Sequence, residues 1–343
     1  MLIDAAYLTT RDDGRVEWFM DSLARELESL GASRPETRLV VVDSRLWYVD
    51  ERERRERFRE ASRGRFGDFV HVPPKPSVWQ GPTRLTTFDL FCAASARNTA
   101  LCHARGSHVV FADDLSVLMP GWASGHLHAA IGGYVLCGYT NKNKEVVVED
   151  GQVVSMKLFP PGQDHRLRGV PRDGAVRCAG SWLHGGTFSV PLEAALAVNG
   201  QDEACDTIGG EDYDFGIRLE RARYPVYFNR TCGTVESEEA HHTEPHTTCL
   251  RIDKKLPPDV ARNVPGDGAS STLLYHRLVH STSSWTQGRQ PVLRELRERV
   301  LAGDPFPVPT EPTRHWVDGQ PLSKIKPTHD GYDDAERSGV RDW

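Results

Sequence analysis

The sequence predicts an α/β fold with a mostly parallel sheet, because patterns typical of buried strands alternate with a helical pattern from the first residues onward. Mostly apolar residues occupy positions 3–8 and 39–42, as in strands that are covered on both faces. Residues 16–30 lie between them and repeat apolar side chains at helical spacing. These side chains are Val16, Phe19, Met20, Leu23, Leu27 and Leu30. A strand, a helix and a second strand in this order open a parallel sheet flanked by helices.

Size and composition indicate a globular chain. With 343 residues, 38% of them apolar, the chain has room for one large α/β domain or two smaller ones. Its longest apolar runs are shorter than the ~18 residues that a membrane-spanning helix needs, and residues 1–4 lack the basic start of a signal peptide. We therefore expect a cytoplasmic protein without a membrane span.

Cysteines and charges exclude several classes of protein. The seven cysteines are odd in number, scattered and never arranged as Cys-x-x-Cys, so we expect neither a disulfide framework nor a cysteine zinc site. A formal net charge of -6 gives no overall attraction to nucleic acid. The arginine-rich stretch at residues 54–65 is interleaved with glutamates, and we interpret it as the solvated, salt-bridged face of a helix.

The next part of the chain continues the α/β pattern. A helical pattern over residues 88–103 leads into a predicted strand at 107–111. Residues 134–157 alternate apolar and polar side chains around a central glycine, which predicts antiparallel hairpins. Residues 180–196 are predicted as a strand and a loop that lead into a short helix, and a further helix is expected to end near Arg223.

Two acidic clusters carry the first functional prediction. Asp113 and Asp114 follow the predicted strand at 107–111, and ligands of open α/β sheets bind beyond such strand ends. Glu211 and Asp212 open the later helix. Adjacent carboxylates suit Mg²⁺ or Mn²⁺, which prefer oxygen ligands and keep positions open for phosphate oxygens. The clusters therefore predict a site for a metal-bound diphosphate, although each pair alone also suits a turn or a helix N-terminus.

The stretch around the first cluster resembles the GT-A fold glycosyltransferases, whose pattern is Arg-Asn, a helix ending near Gly, an apolar strand, an Asp-x-Asp metal motif and a nearby Pro. The matching residues are Arg97-Asn98, Gly106, Val109-Val110-Phe111, Asp113-Asp114 and Pro120-Gly121-Trp122. Ala112 stands where a strict Asp-x-Asp ending at Asp114 has its first Asp, which leaves the metal-ligand register open between Asp114 and Asp113. The resemblance implies a GT-A (Rossmann-like) fold, a Mn²⁺ or Mg²⁺ cofactor, and donor contacts from Arg97, Asn98 and Asp113.

The stretch from Trp182 to Leu219 is similar to the acceptor half of the beta-1,4-galactosyltransferases and the polypeptide N-acetylgalactosaminyltransferases. The matching segments are His184 to Ser189, Asn199 to Glu203, Gly209 to Asp214 and Arg218-Leu219. In these relatives a Gly-Gly turn lets the backbone approach the sugar, and the Glu-Asp pair that follows binds sugar hydroxyls and acts on the acceptor. By position, Glu211 would bind sugar hydroxyls and Asp212 would be the general base. The further contacts so implied are Gly185, Gly186 and Gly210 for the donor, and Trp182 and Asp214 for the acceptor.

The same resemblance implies contacts outside these two stretches. The relatives have a histidine after the acidic helix that completes the metal sphere, and His242 or His241 stands there in this sequence. Thr9, Arg11 and Asp43 stand at the ends of the first two predicted strands, where the relatives contact the nucleotide. An arginine at such a loop suits a diphosphate, and an ordinary turn is the alternative.

The resemblance covers about residues 1–250, which we expect to form one domain with a nucleotide-binding half at 1–122 and an acceptor half at 123–250. Residues 251–343 are expected to be a partly irregular extension. Prolines accumulate beyond about residue 300 and the apolar pattern fades there, as is typical of an extended tail.

The predicted function is metal-dependent transfer of a hexosyl or N-acetylhexosaminyl group from a nucleotide sugar, with UDP-sugars as the expected donors and inversion through Asp212. A retaining outcome stays open, since fold alone does not decide it. The alternatives are a non-catalytic scaffold of the same fold and a metal-dependent nucleotide-sugar hydrolase. A glycan, a small molecule, a protein and a modified DNA base all remain open as acceptors.

Overall fold

The computed structural model of the chain shows a mixed α/β architecture. It describes residues 2–48, 50–77, 80–82, 92–158, 164–168, 170–171, 174–206, 210–237, 292–308, 316–317 and 320–321.

The first half of the described chain alternates strands and helices, as predicted, and it also contains a strand at 68–72 that was not predicted. Its elements are β1 Leu2–Thr9, α1 Val16–Ser29, β2 Glu36–Asp43, α2 Glu51–Ser62, β3 Asp68–Val72, α3 Ala93–His103 and β4 His108–Ala112. These strands lie in the order β3-β2-β1-β4, and each neighbouring pair is parallel. Their carboxyl ends therefore share one edge of the sheet. The helix predicted over 88–103 begins at Ala93, and residues 88–91 lie outside the described residues.

The second half extends the same sheet with mixed pairing. Its elements are β5 Ser116–Leu118, α4 Trp122–Gly132, β6 Val135–Glu149, β7 Gln152–Leu158, β8 Ala175–Cys178, β9 Thr187–Pro191, α5 Leu192–Ala197, α6 Glu211–Arg221, β10 Val226–Ser237, α7 Leu293–Leu301, β11 Trp316–Val317 and β12 Gln320–Pro321. β9 is antiparallel to both β4 and β6, whereas β10 runs parallel to β6. β6 and β7 form the antiparallel hairpin that the alternation over 134–157 predicts.

Helices cover both faces of the sheet, and the alternation along each strand sorts its side chains between them. In β1, Ile3, Ala5 and Tyr7 pack in the layer that contains α1, α2 and α4. Ala6 and Leu8 pack in the opposite layer, which contains α3, α5, α6 and α7. The apolar stripe predicted for α1 is buried in the first layer, except for Leu30, which follows the helix and is partly buried. Both faces are covered, which explains the nearly continuous apolar run of β1.

The predicted C-terminal extension contributes helix α7 to this core. Leu293 is buried, and its N–H donates to Asn199 Oδ1 at 2.6 Å. The Arg297 guanidinium donates to the carbonyl oxygen of Ala104 at 2.9 Å. The domain boundary predicted at residue 250 stays a prediction, because residues 238–291 lie outside the described residues. Across the described part of the chain, every helix is too short or too polar to cross a bilayer.

Candidate active site

The carboxyl ends of β1, β2 and β4 bring several of the predicted site residues to one edge. Thr9 ends β1 and Asp43 ends β2, opposite each other in the parallel ladder. Asp113 and Asp114 follow β4 directly, on the other side of β1. This is the edge at which open α/β sheets bind ligands.

Arg97 joins the two acidic clusters. It projects from α3 and is almost completely buried, at 2% exposure. Its Nη2 donates to Asp113 Oδ1 at 2.8 Å and its Nη1 to Glu211 Oε1 at 2.7 Å. Burial alone would lower the pKa of Arg97, but the facing carboxylates outweigh it and raise that pKa. The cation therefore compensates two carboxylates that are about a hundred residues apart in the chain.

The residue after Arg97 holds a supporting loop. The Asn98 side chain donates to the carbonyl oxygen of Gln201 and accepts from its N–H, both at 2.8 Å. It also donates to Glu203 Oε1 at 2.8 Å. The Gln201 side-chain oxygen in turn accepts from Arg97 Nη1 at 3.3 Å. Asn98 was predicted as a donor contact, and its described hydrogen bonds fix the loop that braces Arg97.

Asp114 is the more deeply placed member of the first acidic pair. Its Oδ2 accepts from Thr9 Oγ1 at 3.2 Å and from Arg11 Nε at 3.0 Å. Its side chain is 14% exposed, against 32% for that of Asp113. Burial raises the pKa of Asp114 to about 6; the Arg11 charge opposes the rise and the Asp113 charge adds to it. Thr9 and Arg11, both predicted as nucleotide contacts, thus lie directly beside a predicted metal ligand.

Glu211 and Asp212 form the first turn of α6. The helix begins after Gly210, whose φ of 88° is costly for any residue with a Cβ. Glu211 is buried beneath Arg97, and Asp212 is half-buried with its Oδ2 accepting from the Gly185 N–H at 2.6 Å. Burial raises the pKa of Glu211, and the negative charge of Asp212 adds to the rise while Arg97 opposes it.

The turn at Gly185-Gly186 touches both acidic clusters. Gly185 donates to Asp212, as above, and the carbonyl oxygen of Gly186 accepts from the Asp113 N–H at 3.2 Å. A Cβ on Gly185 would lie 2.2 Å from Arg97 Nη2, and one on Gly186 would lie 2.2 Å from Thr140 Oγ1. The resemblance implied donor contacts for both glycines, and the structure shows a close approach to protein groups at each of them.

Asp43 is enclosed by protein partners. Its carboxylate accepts from Arg54 Nε at 2.5 Å and Nη2 at 3.1 Å, and lies 2.8 Å from His71 Nε2. Burial pushes the pKa of Asp43 up, but these two partners together lower it. Arg54 also donates to the carbonyl oxygens of Arg11 at 2.7 Å and Asp12 at 2.6 Å. Asp43 therefore acts on the Arg11 loop through Arg54.

Sequence reasoning missed Arg54 and His71. The interpretation of residues 54–65 as a solvated helix face is wrong for Arg54, which is 8% exposed. One signal was present: Arg54 lies one helical turn before the buried Phe58, and therefore on the inner side of α2. His71 sits within β3 and had no distinguishing pattern.

The two predicted acceptor contacts, Trp182 and Asp214, are both buried. Trp182 is 6% exposed and meets Phe228 edge-on, with ring centroids 5.4 Å apart. Asp214 Oδ2 accepts from Arg218 Nε at 2.7 Å within α6. Their contact with an acceptor stays a prediction. His241, His242 and Gly209 lie outside the described residues.

The described residues offer a metal ion two carboxylates side by side. Asp113 uses Oδ1 for Arg97, and Asp114 uses Oδ2 for Arg11 and Thr9, so the second oxygen of each is outside these ion pairs. No group of three or more His, Cys, Asp or Glu side chains with metal-site geometry occurs within the described ranges. Mg²⁺ and Mn²⁺ are commonly held by one or two carboxylates together with substrate phosphates. The donor set therefore fits a divalent ion that phosphate oxygens complete.

Comparison with known proteins finds likeness at the level of structure. No protein-family model and no curated protein sequence matches the chain. The structure of GalNAc-T7 with UDP, GalNAc and Mn²⁺ matches over 89% of this chain and 59% of that chain, with 11% identity and a TM-score of 0.50. The structure of S. aureus TarS 1-349 matches over 85% of this chain and 73% of that chain, with 11% identity and a TM-score of 0.44.

The sheet order and the acidic strand-end edge define the class of fold. The likeness to GalNAc-T7 confirms the predicted GT-A fold, a mixed α/β architecture with a mostly parallel central sheet. This chain spans about three fifths of the GalNAc-T7 chain, since the match covers 59% of it.

Proposed function

We propose that this protein is a glycosyltransferase that moves a sugar from a UDP-sugar to an acceptor hydroxyl. The observation that carries the proposal is the buried Arg97 bridge between Asp113 and Glu211, which unites the two acidic clusters at the strand-end edge. GalNAc-T7, which shares the fold, was solved with UDP, GalNAc and Mn²⁺, and this supports the same donor chemistry.

The donor diphosphate is proposed to bind beside Thr9, Arg11 and Arg97. Guanidinium groups recognise phosphate oxygens through charge-assisted hydrogen bonds. Arg11 is 6% exposed, and its loop is fixed from behind by Arg54, so little conformational entropy is lost when it meets a ligand. We therefore propose Asp43 as an indirect contributor to donor binding.

Mn²⁺ or Mg²⁺ is proposed to bind Asp114 and Asp113, with His242 or His241 as the imidazole that the resemblance implies. When bound, the ion would act as a Lewis acid that stabilises the negative charge on the departing diphosphate. Arg97 and Arg11 each hold one oxygen of the carboxylate pair, and thereby fix how the other oxygens are presented.

Asp212 is the proposed general base. The Gly185 N–H holds its carboxylate at 2.6 Å, which selects one orientation of the side chain. The carboxylate would take the proton from the acceptor hydroxyl as that oxygen attacks the anomeric carbon, and in-line attack inverts the configuration. Glu211, anchored by Arg97, is proposed to bind sugar hydroxyls.

Two alternatives use the same residues. The ion pairs that already neutralise Asp113 and Asp114 favour a non-catalytic member of the fold, in which arginine replaces the metal charge. A nucleotide-sugar hydrolase would use Asp212 on water instead of an acceptor. Product analysis with and without candidate acceptors separates hydrolysis from transfer. A glycan, a small molecule, a protein and a modified DNA base are the acceptor classes to screen.

Calorimetric titration tests the proposal first. Wild type is titrated with UDP, UDP-GlcNAc, UDP-GalNAc and other nucleoside diphosphates, with Mn²⁺ and then with EDTA. Asp114→Ala should weaken binding, because it removes a proposed metal ligand. Asp212→Asn should keep donor affinity and lower the rate of sugar release about 10²–10⁴-fold, the range for loss of a general base. Asp13→Asn, at an exposed ion pair with Arg15, is the matched control.

The outcomes distinguish the transferase from the scaffold and test the separate roles of the two aspartates. Metal-dependent binding of a uridine nucleotide that is lost in Asp114→Ala supports the transferase. Equal loss of donor affinity in Asp212→Asn and Asp114→Ala would contradict the separate roles. Absence of nucleotide binding by wild type under every condition would favour the scaffold.

A further inference from the structure

A buried ion pair lies outside the residues that the sequence singled out. Arg166 is 3% exposed, and it belongs to the short described segment 164–168 between β7 and β8. Its Nε donates to both oxygens of Asp164, at 3.0 and 3.1 Å, and its Nη2 donates to Asp164 Oδ2 at 2.5 Å. Burying such a pair costs desolvation of both charges, so its geometry and its remaining contacts matter.

The remaining contacts of the pair lead to the turn that carries Gly185. Arg166 Nη1 donates to the carbonyl oxygen of Trp182 at 2.5 Å. Asp164 Oδ2 accepts from the Thr140 N–H of β6 at 3.4 Å. Thr140 is also the residue whose hydroxyl fills the space beside Gly186. One ion pair therefore anchors the start of the turn and the strand behind its end.

The anchored turn is the part of the site that orients the proposed base. Three residues after Trp182, the Gly185 N–H holds Asp212 at 2.6 Å, and the next carbonyl oxygen accepts from Asp113. A shift of the turn would move the hydrogen bond that selects the Asp212 orientation. A displacement of a catalytic group by about 1 Å can lower a reaction rate about 10²-fold.

We infer that Arg166, clamped by Asp164, is a positioning residue that fixes the Trp182–Gly186 turn and through it the Asp212 carboxylate. The inference rests on the proposed function of Asp212. Arg166 acts without touching a reacting atom, because its described donors are used by Asp164 and Trp182. The planar fork of arginine matches both a carboxylate and a carbonyl at once, which a lysine ammonium does not.

The conservative variant Arg166→Lys tests this, because it keeps the charge and removes the fork. The matched control is Arg168→Lys, an exposed arginine in the same segment. The first readout is hydrogen exchange of the Gly185 amide, which needs no activity. We expect exchange to be at least about tenfold faster in Arg166→Lys and within about twofold of wild type in Arg168→Lys. Unchanged exchange of this amide in Arg166→Lys would overturn the anchoring.

The second readout is UDP release from a UDP-sugar with Mn²⁺, together with the dissociation constant for UDP. We expect kcat to fall about 10- to 100-fold in Arg166→Lys while the affinity for UDP stays within about threefold. Added to Asp212→Asn, the same substitution should lower the residual rate by less than about twofold, because both changes act through one carboxylate. Faster amide exchange with unchanged kcat, or an equal loss in both backgrounds, would overturn the positioning role.

Wild type separates failure of this inference from failure of the proposed function. If wild type binds no uridine nucleotide and releases no UDP, the proposed function fails, and the role of Arg166 in transfer fails with it. If wild type is active and Arg166→Lys keeps both kcat and amide protection, only the positioning role is overturned.

Discussion

Replacement of Asp114 by asparagine should stabilise the metal-free protein at neutral pH. Burial raises the pKa of this carboxyl from 3.8 to about 6, even though Arg11 and Thr9 bind it. At about 1.36 kcal/mol per pKa unit, ionising Asp114 in the folded protein costs about 3 kcal/mol more than in the unfolded chain. Asp114→Asn keeps the size of the side chain and removes this cost, so the free energy of unfolding at pH 8 should rise by up to about 3 kcal/mol.

The pH dependence gives the sign of the effect. A carboxyl with a raised pKa binds a proton in the folded state at pH values where the unfolded chain has lost it. Stability of wild type should therefore fall as the pH rises from about 4 to about 6, and stay level above that. The increase in the free energy of unfolding that Asp114→Asn causes should be near zero at pH 4 and should reach its full size at pH 8.

Urea unfolding followed by tryptophan fluorescence, with EDTA present, measures both quantities. Asp13→Asn, at an exposed ion pair, should change stability by less than about 0.5 kcal/mol at either pH. In a second series, with Mn²⁺ in place of EDTA, the ion should stabilise wild type and leave Asp114→Asn unaffected. The reasoning would be refuted by an Asp114→Asn variant that is less stable than wild type at pH 8, or by a gain of equal size at pH 4.

Four further perturbations follow from the described contacts. Arg97→Met should lower the free energy of unfolding by about 3–5 kcal/mol at pH 8, because it leaves the buried Glu211 and the partly buried Asp113 without their cation. The loss should be smaller at pH 5, as chemical denaturation would measure. Gly185→Ala should lower both stability and UDP release, because its Cβ would force Arg97 to move; unchanged kcat would contradict this. Arg54→Ala should weaken UDP binding in calorimetry, whereas Arg57→Ala, at an exposed pair on the same helix, should not. His126 is buried, and its pKa is lowered to about 3, so wild type should lose stability as the pH falls below about 6.5. In a variant without this imidazole, the loss of stability between neutral pH and pH 5 should be about 2 kcal/mol smaller than in wild type, measured by urea unfolding.

The predictions of secondary structure that the fold confirms are those that rested on a strong local pattern. The apolar spacing of α1 and the alternation of the β6–β7 hairpin each reflect which face of an element is buried, and that periodicity is written into neighbouring residues. The two acidic clusters were likewise visible as adjacent residues. One site for both clusters was predicted, but the Arg97 bridge between them was not, because hydrogen bonds between segments that are separated in the chain have no local periodicity.

Asp43 and Arg54 show the limit most clearly. The resemblance implied a nucleotide contact for Asp43, and the charge pattern indicated a solvated helix face for Arg54, yet the fold pairs the two in the interior. The sequence around a charged residue does not identify the residue with which it will pair. A buried charge is stable only when it has such a partner. Arg166 is a second case, since its neighbours in sequence do not distinguish it from the exposed Arg168.

The sequence by itself determined the α/β class, the opening order of strand, helix and strand, and the two carboxylate clusters, since each of these depends on residues close together in the chain. The tertiary structure decided which charges meet. Arg97 bridges the clusters, Asp43 holds Arg54, and Asp164 clamps Arg166, because folding brought distant strand ends and turns within hydrogen-bond distance.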